Sequence, residues 1–276
     1  MGIRYADEMI IVDVGMGFPE ETPYGVDISI PTFDFLEEYR DDLTALILTH
    51  GHEDHIGALA YFLRKFNLPV YASRFTHALA EKRLEEFGML DDVLLHRVRA
   101  GDVVDLGVFR IEFIHASHSL VDCFSLAIQT PLGTVIHTGD YKIDETPVVG
   151  PPYDLDTLRR YGDSGVLALL GDSTNATVPG RTLSERAVIP AFREIFEETP
   201  GRLFISTFSS SIHRLQIVAD LAREYGRKIC ILGRSMEKNV ELAMDLGVLQ
   251  IDENELVNLS EARAAGDDEI CYVVTG

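Results

Sequence analysis

The first part of the chain combines a few segments of helical periodicity with many short apolar runs. Apolar runs of a few residues predict buried strands, and apolar positions that recur every three to four residues predict helices that face a core. Helices come early and strands dominate afterwards, which predicts stacked sheets with helices outside them. The predicted strands are 9–14, 45–49, 70–72, 94–98, 103–106, 109–114, 123–130 and 134–138, and the predicted helices are 33–39, 56–65 and 74–87.

The pattern changes near Pro179 and Gly180. A strand at 166–170 precedes the change, and strands then alternate with helices, which predicts a parallel sheet. Thr182-Leu183-Ser184-Glu185 has the form of a capping box, which predicts a helix start. The later strands are predicted at 203–207, 228–232 and 270–275, and the helices at 182–198, 212–225 and 236–246. We therefore predict an α/β protein with two domains, 1–179 and 180–276.

Composition places the chain among globular proteins with a real core. Its 276 residues suffice for one large or two ordinary domains. No apolar run is long enough to span a bilayer, and the N-terminus lacks the apolar core of a signal peptide. The three cysteines, Cys123, Cys230 and Cys271, are far apart and lie in apolar runs. We expect reduced cysteines and a cytoplasmic protein.

The formal net charge of −21 argues against a protein that binds nucleic acid nonspecifically through a basic face. It does not exclude a nuclease, because bound metal ions would invert the local field around their acidic ligands.

One stretch joins an apolar strand to a dense group of metal-binding side chains. The predicted strand 45–49 leads directly into His50, His52, Asp54 and His55. An extended backbone directs His50 and His52 the same way, because they are two residues apart. Imidazole nitrogens and carboxylate oxygens are the ligands that borderline divalent metals prefer. The stretch therefore predicts a metal site.

Two further polar groups follow the ends of predicted strands. His118 comes after strand 109–114, and Asp140 comes after strand 134–138. Strands that share a direction bring such ends to one edge of a sheet, where functional sites sit. A carboxylate between two cations is what a two-metal hydrolase requires. We predict one metal at His50, His52 and His118, a second at Asp54 and His55, and Asp140 between the two.

Two residues near the end of strand 9–14 leave alternatives open. Asp13 can cap a turn or can support the metal ligands from behind. Phe18 can pack against the protein or can stack on a nucleic-acid base.

Motifs along the whole chain carry a family resemblance. They are Ile11-Val12-Asp13-Val14-Gly15, Phe18-Pro19-Glu20, the stretch 48–59, His118-Ser119, His137-Thr138-Gly139-Asp140-Tyr141-Lys142, Asp172-Ser173-Thr174-Asn175-Ala176, Thr207-Phe208-Ser209-Ser210, Ile212-His213-Arg214 and Gly233-Arg234-Ser235-Met236. Together they resemble the ribonuclease J family, in the β-CASP branch of the metallo-β-lactamase superfamily. The metal-site motifs are shared across the superfamily, whereas the Asp172 and Ser210–Arg214 motifs are more specific to the ribonuclease branch.

The resemblance implies a fold and a ligand set. The fold would be a metallo-β-lactamase αββα sandwich followed by part of a β-CASP α/β domain with a parallel sheet. Two zinc ions, with manganese as an alternative, would be held by His50, His52, Asp54, His55, His118 and Asp140. Of these, Asp54, His55 and Asp140 would be catalytic, and Asp172 would be the acid that opens the β-CASP insertion.

The resemblance also makes one loop a candidate for contacts to substrate phosphate. Hydroxyls, a histidine and backbone amides at a helix N-terminus can form an anion site. The alternative is a simple helix cap. The candidate residues are Ser209, Ser210, Ser211, His213 and Arg214.

Some features depart from the family pattern. Ser211 stands where the family usually has asparagine. The family begins upstream with a glycine-rich strand, and after the insertion it returns to the first domain with further histidines and a C-terminal domain. We therefore expect a chain truncated at both ends, which binds about one metal tightly and hydrolyses RNA weakly by itself.

Three functions fit these observations. The first is a metal-dependent ribonuclease, as a 5′-3′ exonuclease, an endonuclease or both, which forms homo-oligomers or pairs with a paralogue. The second is a glyoxalase II-type thioesterase of the same superfamily. The third is a non-catalytic RNA-binding or scaffolding subunit.

Overall fold

A computed structural model describes residues 1–19 and 25–275. The chain divides into two compact units. The first comprises Met1–His118, Asp122–Tyr141 and Tyr153–Pro179, and the second comprises Ser119–Val121, Lys142–Pro152 and Gly180–Gly276. The predicted loop after Phe18 falls partly on residues 20–24, which lie outside the described residues.

The strands described in the first unit form two five-stranded sheets, ordered β1-β2-β3-β4-β5 and β10-β9-β8-β7-β6. The elements are β1 (Gly2–Tyr5), β2 (Glu8–Val12), β3 (Leu43–Ile47), α1 (Glu53–Ile56), α2 (Leu59–Lys65), β4 (Val70–Ala72), α3 (Arg74–Glu86), β5 (Leu95–Arg97), β6 (Val103–Leu106), β7 (Phe109–Ala116), β8 (Cys123–Thr130), β9 (Gly133–His137), α4 (Leu155–Ser164) and β10 (Ala168–Leu170). Short 3₁₀ helices span Asp34–Asp42 and Leu90–Asp92.

Alternation along β2 and β3 determines how the layers stack. Side chains of a strand point alternately to its two faces. Ile10 and Ile47 belong to a buried cluster with residues of β7 and β8, such as Phe113, so the two sheets pack face to face. Met9 and Leu46 belong to a second cluster with residues of α2 and α3, so these helices cover the outer face of the first sheet.

Helix α4 covers the other outer face, since Tyr161 is buried with Ile114 and Ile136 of the second sheet. The layers are therefore helix, sheet, sheet, helix.

Strand directions bring the polar residues after several strands to one region. β2 and β3 are parallel, with Val12 paired to Ile47, so Asp13 lies beside the residues that follow β3. β7 and β9 both run antiparallel to β8, so they share a direction. The segments after β7 and β9 consequently leave the second sheet at the same edge.

The second unit contains a parallel sheet of order β11-β13-β12 among its described residues. Its elements are a 3₁₀ helix (Glu185–Val188), α5 (Ile189–Glu198), β11 (Leu203–Ser206), α6 (Ile212–Glu224), β12 (Lys228–Leu232), α7 (Arg234–Asp245), a 3₁₀ helix (Glu253–Glu255), α8 (Leu259–Ala264) and β13 (Ile270–Val274). Each parallel pair needs a crossover, and helices provide it.

The segment Lys142–Pro152 belongs to the second unit, although the predicted boundary at Pro179 assigned it to the first domain. Lys142 Nζ donates to Glu185 Oε1 at 2.8 Å, and the Glu185 backbone N–H donates to Asp144 Oδ2 at 3.0 Å. These contacts join residues about forty positions apart, so hydrophobic periodicity could not predict them.

The predicted α/β fold is confirmed, with local differences. The predicted helix 56–65 is two helices, α1 and α2, and the predicted helix 182–198 is a 3₁₀ turn followed by α5. The pattern missed β1, α4 and α8. Tyr161 is the buried residue of α4, so this helix lacks the row of buried apolar residues by which a helix is recognised in a sequence. None of the helices in the described residues is long and apolar enough to cross a membrane.

Candidate metal centre

Three histidines converge at the ends of β3 and β7. His50 Nε2 lies 3.0 Å from His52 Nδ1, and His118 Nε2 lies 3.2 Å from the same His52 nitrogen. Zinc–nitrogen bonds of about 2.0–2.1 Å at tetrahedral angles place neighbouring nitrogens roughly 3.3 Å apart. The three nitrogens therefore have the spacing of ligands around one cation.

His50, His52 and His118 form a first set of candidate metal ligands. A second set contains His50, His55 and Asp140, and one ligand atom from each of these residues lies within 4.8 Å of the others. Asp140 faces both sets, because Oδ1 lies 3.4 Å from His55 Nε2 and Oδ2 lies 3.8 Å from His118 Nε2. This is the placement expected of a carboxylate that bridges two cations.

Asp54 is beside the second set rather than in it. Its Oδ2 lies 3.7 Å from His55 Nε2, and its side chain is 62% exposed. Neither compact set of ligand atoms found among the described residues includes Asp54. Its carboxylate is therefore freer to contact a substrate than those of Asp13 and Asp140.

The protonation of the histidines fits a cation site. Burial holds the pKa of His50 well below its ordinary value and, with the neighbouring His118, lowers that of His52 to about 4. Both rings are then neutral at neutral pH, as metal coordination requires. Burial also opposes charge on His55, but its hydrogen bonds with Asp13 and Asp140 outweigh this and raise its pKa to about 10. A negative field that favours a proton there favours a metal cation too.

Asp13 holds His55 from behind, with Oδ2 at 2.9 Å from His55 Nδ1. This contact leaves Nε2 of His55 facing Asp140. Of the two alternatives for Asp13, support of a ligand is what its geometry favours, since carboxylates commonly orient metal-bound histidines in this way.

The backbone after β2 forms a template for the ligand loop. Val14 N–H donates to the His55 carbonyl at 2.7 Å, and Met16 N–H donates to the Glu53 carbonyl at 3.0 Å. Gly15 lies between them, where an added Cβ would overlap the Asp54 carbonyl group. Only glycine allows the two segments to approach this closely.

Replacing Gly15 by alanine should displace the ligand loop. We expect a loss of about 1–3 kcal/mol in the free energy of unfolding, as for other overpacked sites. We also expect zinc affinity to fall at least about 10-fold, since ligand positions would shift. Thermal unfolding and a zinc titration measure the two effects.

The matched control is Gly162→Ala in α4, where an added Cβ has nothing within 4 Å. Alanine in a helix should stabilise the protein by about 0.5–1 kcal/mol and leave zinc affinity unchanged. Equal effects of the two substitutions on zinc affinity would contradict the template.

A cavity of about 940 Å³ opens beside the second set and is lined by Asp54, His55 and Asp140. Asp172 lines it as well, and its Oδ1 accepts hydrogen bonds from the Thr174 backbone and hydroxyl. Aromatic lining among the described residues comes from Phe33, Phe35 and Phe62. Phe18 lies outside that lining and is 57% exposed, so base stacking by Phe18 stays a prediction.

The predicted phosphate loop lies in the second unit, with Ser209, Ser210 and Ser211 before α6 and with His213 and Arg214 in its first turn. Ser211 occupies the N-cap position of α6 but its hydroxyl makes no capping hydrogen bond, so the simple helix-cap alternative loses support. Ser209 accepts a hydrogen bond from Asn239 Nδ2 at its carbonyl, which ties the loop to α7. Ser210 lies between Ser209 and Ser211 in the chain.

Two members of this loop already have protein partners. His213 is buried and its Nδ1 accepts from the Val149 backbone N–H at 3.1 Å, while Arg214 pairs with Glu185 at 2.9 Å. Phosphate contacts by these residues stay a prediction.

The sequence pattern did not predict the close backbone approach at Gly15 or the contacts of the Thr49 hydroxyl, which lies 2.7 Å from Asp13 Oδ2 and 3.1 Å from His50 Nδ1. A signal for the first was present, since Gly15 follows directly on strand 9–14, where glycine marks a close backbone approach. Thr49 looked like the last residue of a strand, and nothing in the pattern marks its hydroxyl.

Comparisons with known proteins agree with this geometry. Residues 200–276 match the family model described as "Ribonuclease J, beta-CASP domain". Ribonuclease J of Synechocystis is 43% identical over 275 residues, which cover 99% of this chain and 43% of that protein. Ribonuclease J of Helicobacter pylori is 42% identical over 277 residues, which cover 100% of this chain and 40% of that protein. The predicted resemblance is confirmed, and the chain spans less than half the length of these two curated relatives.

A solved structure described as a protein of unknown function from Enterococcus faecalis has the same fold, with a TM-score of 0.66 at 15% identity, over 100% of this chain and 73% of that one. Residues 3–181, more than half of the chain, match the model of the metallo-beta-lactamase superfamily. The helix–sheet–sheet–helix layers and the histidine–aspartate centre at the strand ends agree with that match, and the chain belongs to the metallo-β-lactamase superfamily.

Proposed function

We propose that the protein is a metal-dependent ribonuclease that hydrolyses RNA phosphodiester bonds as a 5′-3′ exonuclease, an endonuclease or both. The observation that carries this proposal is the pair of ligand sets that share His50, with one oxygen of Asp140 directed to each. Two adjacent cation positions suit in-line displacement at phosphorus. The similarity to ribonuclease J relatives supports RNA as the substrate class.

The groups of the chain have separable roles in this reaction. Divalent cations, when bound, polarise a phosphoryl oxygen and lower the pKa of water to about 7. Asp54, exposed at the cavity, would orient the attacking water and accept its proton at Oδ2. His55 and Asp140 hold each other in place at 3.4 Å, so neither needs to reorganise during the reaction.

The remaining assignments rest on the same family relation. We propose zinc as the metal, with manganese as an alternative, and domains at 1–179 (metallo-β-lactamase) and 180–276 (β-CASP). The Ser209–Arg214 loop would bind substrate phosphate, and Arg214 would then exchange its Glu185 partner for the phosphate. We also propose a cytoplasmic protein that forms homo-oligomers or pairs with a paralogue. All three cysteines are buried thiols rather than disulfides, as a reducing compartment would keep them.

An RNA-cleavage assay tests the proposal. Single-stranded RNA with a 5′ monophosphate, labelled at either end, is incubated with the protein and Zn²⁺ or Mn²⁺. We expect cleavage that a chelator abolishes, even if it is slow. Release of labelled mononucleotide from the 5′ end indicates the exonuclease, and internal fragments indicate the endonuclease. RNA binding without cleavage under both metals would overturn the enzyme proposal in favour of an RNA-binding subunit.

A further inference from the structure

Asp13 accepts three hydrogen bonds at once. Its Oδ1 accepts from the Thr49 backbone N–H at 2.8 Å, and its Oδ2 is 2.7 Å from the Thr49 hydroxyl and 2.9 Å from His55 Nδ1. It does so from a left-handed backbone conformation, with φ of +57°. Few residues other than glycine adopt this conformation, and strained backbone of this kind concentrates at functional sites.

Thr49 continues this arrangement to a second metal ligand. Its Oγ1 lies 3.1 Å from His50 Nδ1. The Thr49 hydroxyl has one proton, and a carboxylate only accepts, so that proton goes to Asp13. The Thr49 oxygen must then accept the proton of His50 Nδ1. Nε2 of His50, which lies 3.0 Å from His52 Nδ1, is left with its lone pair free for a cation.

The backbone of Thr49 is held firmly enough for its hydroxyl to orient a neighbour. Its N–H donates to Asp13, and its carbonyl accepts from the Phe124 backbone N–H of β8 at 2.9 Å. The residue is completely buried, so water does not compete for the hydroxyl. Thr49 thus joins the two sheets at the point where the metal ligands begin.

We propose that Thr49 is a positioning residue, whose hydroxyl relays the carboxylate of Asp13 to His50, so that one carboxylate orients ligands of both metal positions. Asp13 acts directly on His55 and through Thr49 on His50. A group that hydrogen-bonds to the outer nitrogen of a ligand histidine fixes the tautomer and the direction of its ring. Loss of such a group typically lowers metal affinity 10–100-fold. The inference rests on the proposed metal centre, and it adds a role for a side chain that contacts neither metal nor substrate.

Three variants separate the hydroxyl from its surroundings. Thr49→Val keeps the shape and removes the hydroxyl, Thr49→Ser keeps the hydroxyl, and Thr76→Val makes the same change at a buried threonine on α3, bonded to Ser73. Zinc affinity is measured by competition with a chromophoric chelator, and site geometry by the visible absorption of bound Co²⁺. We expect Thr49→Val to bind zinc about 10–100-fold more weakly, with a changed Co²⁺ spectrum. Thr49→Ser and Thr76→Val should stay within about threefold of the parent protein.

The outcomes distinguish this inference from the proposed function. A parent protein that binds neither Zn²⁺ nor Co²⁺ overturns both. Normal binding by Thr49→Val, or equal weakening in Thr49→Val and Thr49→Ser, overturns the relay alone, because packing rather than the hydroxyl would then matter.

The unsubstituted protein provides a test that does not depend on the folding of a variant. Nitrogen-15 correlation spectra of the zinc-loaded protein report which ring nitrogen of His50 carries the proton. We expect a protonated Nδ1 and a coordinated Nε2. The reverse assignment would overturn the relay.

Discussion

Replacing Asp140 by asparagine should reduce metal-dependent RNA cleavage by at least about 100-fold, which is the scale for losing one preorganised electrostatic group. The Asp140 carboxylate presents one anionic oxygen to each ligand set, at 3.4 Å from His55 Nε2 and 3.8 Å from His118 Nε2. An amide keeps the size and one acceptor, but it has no charge and its nitrogen cannot bind a cation. Cleavage of end-labelled RNA and the zinc retained after dialysis measure the effect.

Asp154→Asn is the matched control for this change. Asp154 caps α4 by accepting from the Thr157 N–H at 3.0 Å. Asparagine caps helices as well as aspartate does, so stability and zinc content should stay unchanged. Full RNA cleavage by Asp140→Asn would show that the bridge is not needed.

Replacing His50 by alanine should remove tightly bound metal from both positions. His50 is completely buried and belongs to both ligand sets, so one substitution takes a ligand from each. Loss of a group that only orients a ligand typically lowers metal affinity 10–100-fold, and we expect a larger fall in zinc affinity when His50 itself is removed. RNA cleavage should fall with it, because both cation positions are weakened. Isothermal titration with zinc and the RNA assay check the two expectations.

His77→Ala provides the comparison, since His77 is a buried histidine of α3 that pairs with Glu81 at 3.2 Å and belongs to neither set. It should lower stability, in the range of about 0.5–3 kcal/mol common for single substitutions, without changing zinc affinity. If His50→Ala retained zinc as tightly as His77→Ala, the shared-ligand geometry would be wrong.

The ligand chemistry of the centre could be predicted from local sequence, because the candidates lie within a few residues of the ends of apolar runs. His50 and His52 face the same way through simple alternation, and His118 and Asp140 follow strands of the second sheet. The assignment of each residue to one of the two metal positions was harder to predict from the sequence. Asp54 as a ligand of the second metal stays a prediction, and the compact set found there contains His50, His55 and Asp140.

Contacts between distant residues could not be predicted from the sequence pattern, because they depend on how separate elements pair. The Asp13–Thr49–His50 relay joins residues 36 positions apart, and it exists because β2 and β3 pair in one particular register. Lys142–Pro152 belongs to the second unit, where the ion pair of Lys142 with Glu185 and the Glu185 N–H bond to Asp144 join residues that hydrophobic periodicity cannot relate.

By itself, the sequence determined most of the strands and helices, that helices enclose stacked sheets, and which side chains can bind a metal. Hydrophobic periodicity records the buried face of each element, so these properties are local. Only the tertiary structure decided that His50 belongs to both ligand sets and that Thr49 connects Asp13 to His50. These depend on strand pairing and register between distant parts of the chain, and a shift of one residue would turn each side chain to the opposite face.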